Sequence, residues 1–162
     1  MNAAILTISD KGSRGEREDR SGPALAVWLA QRGVTIVAQK IVPDEADGIS
    51  AQLVAWADGG GCDLILTTGG TGVSPRDVTP EATRSIIERE IPGISEAMRA
   101  ASLGKTPYAM LSRGVAGVRG RVLIVNLPGS PAGAVENLEA VWTALAHAVK
   151  KIQGDTSDCV KP

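Results

Sequence analysis

The run Asp63-Leu64-Ile65-Leu66 opens into Thr67-Thr68-Gly69-Gly70-Thr71-Gly72-Val73-Ser74-Pro75-Arg76-Asp77 and then into a helix that Thr79 and Pro80 are expected to start. A strand, a glycine-rich turn and a helix in that order constrain the fold strongly, because such units build sheets with helices packed on their faces. The turn also has the chemistry of an anion site. Glycines let the backbone approach a phosphate closely, hydroxyls and amides donate to its oxygens, and the following helix offers free N–H groups. Arg76 and Asp77 add a cation for phosphate and a carboxylate able to ligate a metal.

Two commoner glycine motifs do not fit. A Walker loop requires a lysine after its last glycine, but Gly72 is followed by Val73, and the G-x-G-x-x-G spacing of a dinucleotide fingerprint is absent here. A plain strand-to-loop turn without a ligand is the bland alternative. A second junction of the same kind argues against it: Val122-Leu123-Ile124-Val125 opens into Asn126-Leu127-Pro128-Gly129-Ser130-Pro131 before a long helix. Pro43-Asp44-Glu45, which also reads as an ordinary helix-entry turn, follows the strand-like residues 34–42. In an open parallel sheet, loops at the carboxyl ends of strands gather on one edge, where such folds bind ligands.

The rest of the chain continues the alternation. Residues 3–9 read as a strand, and Ser21-Gly22-Pro23 starts a helix running to about Arg32, with Gly33 ending it. Residues 11–20 read as a charged loop, solvated or able to close over a ligand. Residues 46–58 form a helix, and 63–68 and 121–126 form strands. A helix is expected around residues 94–103 and a short strand around 109–112. Val135, Leu138, Trp142, Leu145, Val149 and Ile152 give the last helix an apolar stripe that Gly154 terminates. The expectation is a single three-layer α/β/α domain over residues 1–154 with a mostly parallel sheet, followed by a polar tail, 155–162.

Composition narrows the function. A net charge of -1 and 2% aromatic residues leave neither the basic surplus nor the stacking surface of a nucleic-acid binder. No apolar run approaches membrane-span length, and Ile5-Leu6-Thr7-Ile8 lacks the basic leader of a signal peptide, so a cytoplasmic protein is expected. Cys62 and Cys159 lack metal-ligand spacing and read as reduced thiols. Trp28, Trp56 and Trp142 read as packing residues, and His147 as structural.

Taken together, Ser9-Asp10, Pro43-Asp44-Glu45, the block from Thr67 to Gly72, Arg76-Asp77-Val78-Thr79-Pro80-Glu81-Ala82-Thr83, Met110-Leu111-Ser112-Arg113 and Asn126-Leu127-Pro128-Gly129-Ser130-Pro131 resemble the molybdenum-cofactor biosynthesis family of MogA, MoaB and the gephyrin G domain. These are the molybdopterin adenylyltransferases. The resemblance covers nearly the whole chain, and it implies transfer of AMP from Mg-ATP to the terminal phosphate of molybdopterin with release of pyrophosphate. That phosphate is already ionised at neutral pH, so the missing histidine base is no obstacle.

The resemblance also implies roles. Asp44 and Asp77 match the family's two functionally important aspartates and are expected to hold magnesium or orient the triphosphate. Gly69, Gly70, Thr71 and Gly72 are expected to line the phosphate channel, with Thr68 and Ser9 as hydroxyl donors. Asn126, Pro128, Gly129 and Ser130 are expected on the nucleotide or pterin side, and Asp10 and Arg76 nearby. Glu81 suits the start of its helix. Family members usually form trimers, so the resemblance implies a homotrimer using residues 91–110, with a molybdenum-insertion protein as downstream partner. The alternatives are an inactive molybdopterin-binding scaffold and a nucleotide pyrophosphatase.

Overall fold

The structure, a computed structural model, describes residues 1–157; residues 158–162, with Cys159 and most of the expected polar tail, lie outside the described residues. The elements in chain order are β1 (Asn2–Ile8), α1 (Asp10–Ser13), α2 (Ser21–Ala30), β2 (Thr35–Val42), α3 (Ala46–Asp58), β3 (Leu64–Thr68), α4 (Thr79–Arg84), β4 (Arg89–Glu90), α5 (Pro92–Leu103), a 3-10 helix (Pro107–Leu111), β5 (Ala116–Arg119), β6 (Val122–Leu127) and α6 (Pro131–Ile152).

The strands form one sheet in the order β2-β1-β3-β6-β5-β4. The first four are parallel, β5 runs antiparallel to β6, and β4 at the edge runs antiparallel to β5. Strand alternation sends side chains to two separate cores. Ile5, Leu64, Leu66, Leu123 and Val125 pack with Leu25 and Leu29 of α2, Ile94 and Met98 of α5, and Leu138, Val141 and Leu145 of α6. Ala4, Leu6, Ile65 and Ile124 pack with Ile49 and Leu53 of α3 and Ala82 of α4. Nearly continuous apolar runs such as Leu64-Ile65-Leu66 are what a strand covered on both faces requires. The three-layer reading therefore holds, and Trp28 and Trp142 meet edge to face at 5.3 Å inside the first core.

Three local expectations change, and two strands had not been expected. The strand expected around 109–112 is instead the 3-10 helix, because Thr106 caps it by accepting from Tyr108 N at 3.3 Å and Pro107 supplies a helical first position. Thr79 does not cap α4 but is its first residue; its hydroxyl donates 2.9 Å to Gly69 O, so it is spent on the glycine loop. Residues 11–20 are not all loop, since Ser9 caps the short α1. The strands β4 and β5 had no clear sequence signal. Two residues and four residues, with Gly117 inside the latter, are too short for an alternation to be read.

Candidate active site at the carboxyl edge of the sheet

The connection from β1 to β2 leaves the sheet in one direction and that from β3 to β6 in the other, so the carboxyl ends of β1 and β3 flank a switch point. The loops after β1, β2, β3 and β6 all meet there. Gly69 lies at φ +104 and Gly70 at φ +64, backbone that favours glycine. A methyl group on Gly70 would stand 3.2 Å from Asp44 Oδ1, and one on Gly72 2.9 Å from Asp77 Oδ2. The loop thus runs directly past both expected aspartates. Gly69 N donates to Leu127 O at 3.3 Å, whereas the N–H groups of Gly70, Thr71 and Gly72 make no backbone hydrogen bond among the described residues. These open donors are available to anions on either side of the loop, since Gly70 lines one cavity and Thr71 and Gly72 another.

Asp44 and Asp10 are joined reciprocally: Asp10 N donates to Asp44 Oδ2 at 2.7 Å, and Asp44 N to Asp10 Oδ1 at 3.1 Å. Arg76 then grips Asp10 through both carboxylate oxygens, at 2.8 and 3.0 Å. The two acids are driven apart as a result. The Arg76 guanidinium holds Asp10 below the ordinary carboxylate range. Burial pushes Asp44 above it, reinforced by the charges of Asp10 and Asp77 and opposed by the Asp10 N–H. Arg76 therefore neutralises Asp10 in this structure, and the Asp44 carboxylate keeps Oδ1 free of the bonds described.

Asp77 closes its own turn by accepting from Ser74 N at 2.8 Å on Oδ2. Arg113, which the sequence reading noted only as part of a motif, fastens this turn. Its Nε donates 2.6 Å to Gly72 O, one Nη donates 2.5 Å to Asp77 O, and the other pairs with Glu81. Arg113 N also donates to Thr71 O at 2.9 Å. Its planar fork suits this bridging task. Glu81 is consequently an ion-pair partner of Arg113 as well as a first-turn acid of α4.

A cavity of about 710 Å³ lies on one side of the glycine loop, lined by Ser9, Asp44, Thr68, Gly69, Gly70, Gly129 and Ser130 together with Arg17, Asp19 and Arg20. A smaller cavity of about 280 Å³ lies on the other, lined by Thr71, Gly72, Pro128 and Ser130 among others. Gly129 packs so tightly that a methyl group there would be 3.2 Å from Gly69 Cα. Asp19 was not singled out from sequence; its carboxylate accepts from Thr7 Oγ1 at 2.7 Å and from Ser21 N and Gly22 N, fixing the start of α2 at the cavity floor. The signal was present in Asp19-Arg20-Ser21-Gly22, an acid just ahead of a helix start.

Two expected contacts, Thr68 and Asn126, are otherwise engaged, while Ser9 accepts one hydrogen bond and keeps its hydroxyl proton to donate. Thr68 Oγ1 donates 2.6 Å to Pro128 O. Ser9 Oγ accepts from Gly12 N at 3.0 Å as the α1 cap. Asn126 is 1% exposed; its amide donates to Thr67 and Thr83 hydroxyls at 3.0 and 2.9 Å and its Oδ1 accepts from Val115 N at 3.1 Å. Asn126 supports the site from beneath and does not line either cavity. His147 sits sixteen residues into α6, roughly 24 Å along it.

Among the described residues no group of three or more His, Cys, Asp or Glu side chains could hold a metal ion. Asp44 and Asp77 accept their hydrogen bonds on Oδ2, leaving each Oδ1 available. Each is a hard oxygen of the kind magnesium takes together with substrate phosphates and water, not from a cage of protein ligands alone, and the two line different cavities, Asp44 the larger one and Asp77 another beside Ser74, Glu81 and Arg113.

Comparison with known proteins agrees with this geometry. Residues 4–147 match the family described as "Probable molybdopterin binding domain". The chain is 42% identical over 157 residues to the molybdopterin adenylyltransferase of Helicobacter pylori (strain J99), covering 96% of this chain and 89% of that one. It is 42% identical over 151 residues to that of Escherichia coli (strain K12), covering 92% and 77%. The crystal structure of the molybdopterin biosynthesis enzyme MoaB from Thermus thermophilus superposes with a TM-score of 0.90 at 56% identity, covering 95% of this chain and 97% of that one. Fold, loop geometry and relatives concur: the chain belongs to the molybdopterin-binding domain family that includes the molybdopterin adenylyltransferases.

Proposed function

We infer that this chain is a molybdopterin adenylyltransferase of molybdenum cofactor biosynthesis, with Mg-ATP as the adenylyl donor. The observation that carries the reading is the glycine loop, with open N–H groups on Gly70, Thr71 and Gly72, running between Asp44 and Asp77. An ionised phosphate oxygen of molybdopterin attacks the α-phosphorus of ATP. The new P–O bond forms as the bond to the β-phosphate bridge breaks, and pyrophosphate leaves with that electron pair. Such a reaction asks the protein chiefly to position reactants and to stabilise charge. Magnesium bound with the triphosphate would supply charge neutralisation at the transferring phosphoryl group.

The residues divide this work. Loop N–H groups donate to phosphate oxygens, Asp44 and Asp77 would hold the cation, and Ser130 with the start of α6 takes a further phosphate oxygen. Arg76 sits within reach of the same edge but is held by Asp10. No side chain needs to remove a proton from the nucleophile. We also propose a homotrimer, a cytoplasmic setting where ATP is supplied, and delivery of the product to a molybdenum-insertion protein. No helix among the described residues is long and apolar enough to cross a membrane.

Purified protein given ATP, magnesium and molybdopterin should form adenylylated molybdopterin and pyrophosphate. Asp77→Asn and Asp44→Asn keep an acceptor oxygen for Ser74 N and Asp10 N, so both should fold, and each should lower kcat/KM by about a hundredfold or more. Wild-type rates in both variants would refute the assignment of these carboxylates. Pyrophosphate release from ATP without pterin would identify a nucleotide pyrophosphatase instead, and binding without turnover a scaffold.

A further inference from the structure

The smaller cavity contains a cation that nothing above employs. Arg99, on α5, is half-buried. Its guanidinium makes one long hydrogen bond, 3.4 Å from Nη1 to Ser112 O, and no carboxylate pairs with it among the described residues. The contrast with neighbouring cations is sharp. Lys105, on the same wall, is paired with Glu136 at 2.9 Å, and Arg113 uses all three of its guanidinium nitrogens. A guanidinium has five N–H donors, and partly desolvating one without an anion is unfavourable. Hydroxyl-bearing Ser102, Thr106 and Ser112 line the same cavity beside Arg99. Thr71 and Gly72, two of the loop residues with open N–H groups, form its wall toward the larger cavity.

We propose that this cavity is an anion subsite in which Arg99 anchors the charged end of one substrate. The inference rests on the adenylyl-transfer reading. At about 280 Å³ the cavity lies just under the usual size for a whole small-molecule site, so it suits one end of a ligand whose remainder passes the glycine loop into the larger cavity. Ser130, which lines both cavities, marks the passage. The shared chemistry is a compact anion of about two charges. Its source is either the polyphosphate end of the nucleotide, which departs as pyrophosphate, or the dithiolate end of molybdopterin.

Arg99→Gln and Arg99→Lys test this by steady-state kinetics with ATP and molybdopterin varied separately. Arg99 makes one weak hydrogen bond, so both variants should melt within a degree or two of wild type. Arg99→Gln should raise the KM of one substrate about tenfold or more, with kcat changed less than twofold, since one charge-assisted contact is removed. Arg99→Lys should recover part of the loss. A rise confined to ATP, with weakened pyrophosphate binding by calorimetry, identifies the polyphosphate end; a rise confined to molybdopterin identifies the dithiolate end. Both KM values within twofold of wild type would overturn the proposal. If wild type binds ATP and molybdopterin but does not turn over, the function reading fails by itself, and equal calorimetric affinity of wild type and Arg99→Gln for both compounds then overturns the subsite.

Discussion

A methyl group on Gly69 would lie 2.3 Å from the carbonyl oxygen of Ile8, and the residue stands at φ +104, so backbone and space both demand glycine. Gly48, inside α3, has nothing within 4 Å of such a methyl group and has no unusual φ. The two glycines should respond to alanine in opposite ways. Gly69→Ala is expected to lower stability by about 1–3 kcal/mol and to abolish transfer, because β1 and the loop after β3 must separate to admit the methyl group. Gly48→Ala is expected to raise stability by about 0.5–1 kcal/mol through helix propensity, with activity unchanged. Thermal melts and turnover of the pair check this directly. An equal loss in both would mean that the loop conformation is not what fixes Gly69. Cys62, by contrast, is chemically quiet: burial pushes its thiol up to about 11, which fits the reading of a reduced thiol.

At the scale of elements, Asn126 and Arg113 show how the site is supported. Asn126 joins β6 to Thr67 of β3, to Thr83 of α4 and to the chain entering β5. Asn126→Ala would strand the Val115 N–H and two threonine hydroxyls in the core, and should cost about 2–4 kcal/mol. Its KM values for both substrates should stay within about threefold of wild type, whereas a ligand contact would raise one of them with little change in melting temperature. The strands that frame the site were legible because Leu64-Ile65-Leu66 and Val122-Leu123-Ile124-Val125 are apolar on both faces and end in turn chemistry. The loop residues Gly69 to Gly72, Asp44 and Asp77 were legible from their motifs. The roles of Asn126 and Arg113 were not, because each depends mainly on partners far along the chain, up to 59 residues away, that only the folded sheet brings together. Residues 107–111 misled for the opposite reason: Ala109, Met110 and Leu111 look like strand residues, but the local cap at Thr106 and Pro107 decides the conformation.

For the molecule as a whole, the loops after β1, β2, β3 and β6 of a single chain line the larger cavity, and the expectation is that each protomer keeps its own copy of it. What one protomer leaves uncovered is apolar surface elsewhere. Tyr108 is 77% exposed and Met110 68%, and Leu111 and Leu103 are also exposed, clustered at the end of α5 and in the 3-10 helix that follows. These residues fall in or beside the stretch 91–110 in which the sequence reading placed an interface, and contiguous apolar surface of this kind marks interaction sites. A closed ring of three copies would cover it on each chain and leave no open end. The expected result is a sedimentation mass of three chains at micromolar concentration and a melting temperature that rises with protein concentration. Met110→Glu should shift the population toward monomer, since it places a charge in the covered patch. A wild-type protein that sediments as a monomer would refute the trimer. A trimer in which a neighbouring chain supplies residues to the glycine loop would refute the self-contained site. Because Tyr108 and Leu111 also line the smaller cavity, a trimer that dissociates in Met110→Glu should weaken the substrate held at Arg99 more than the one held in the larger cavity.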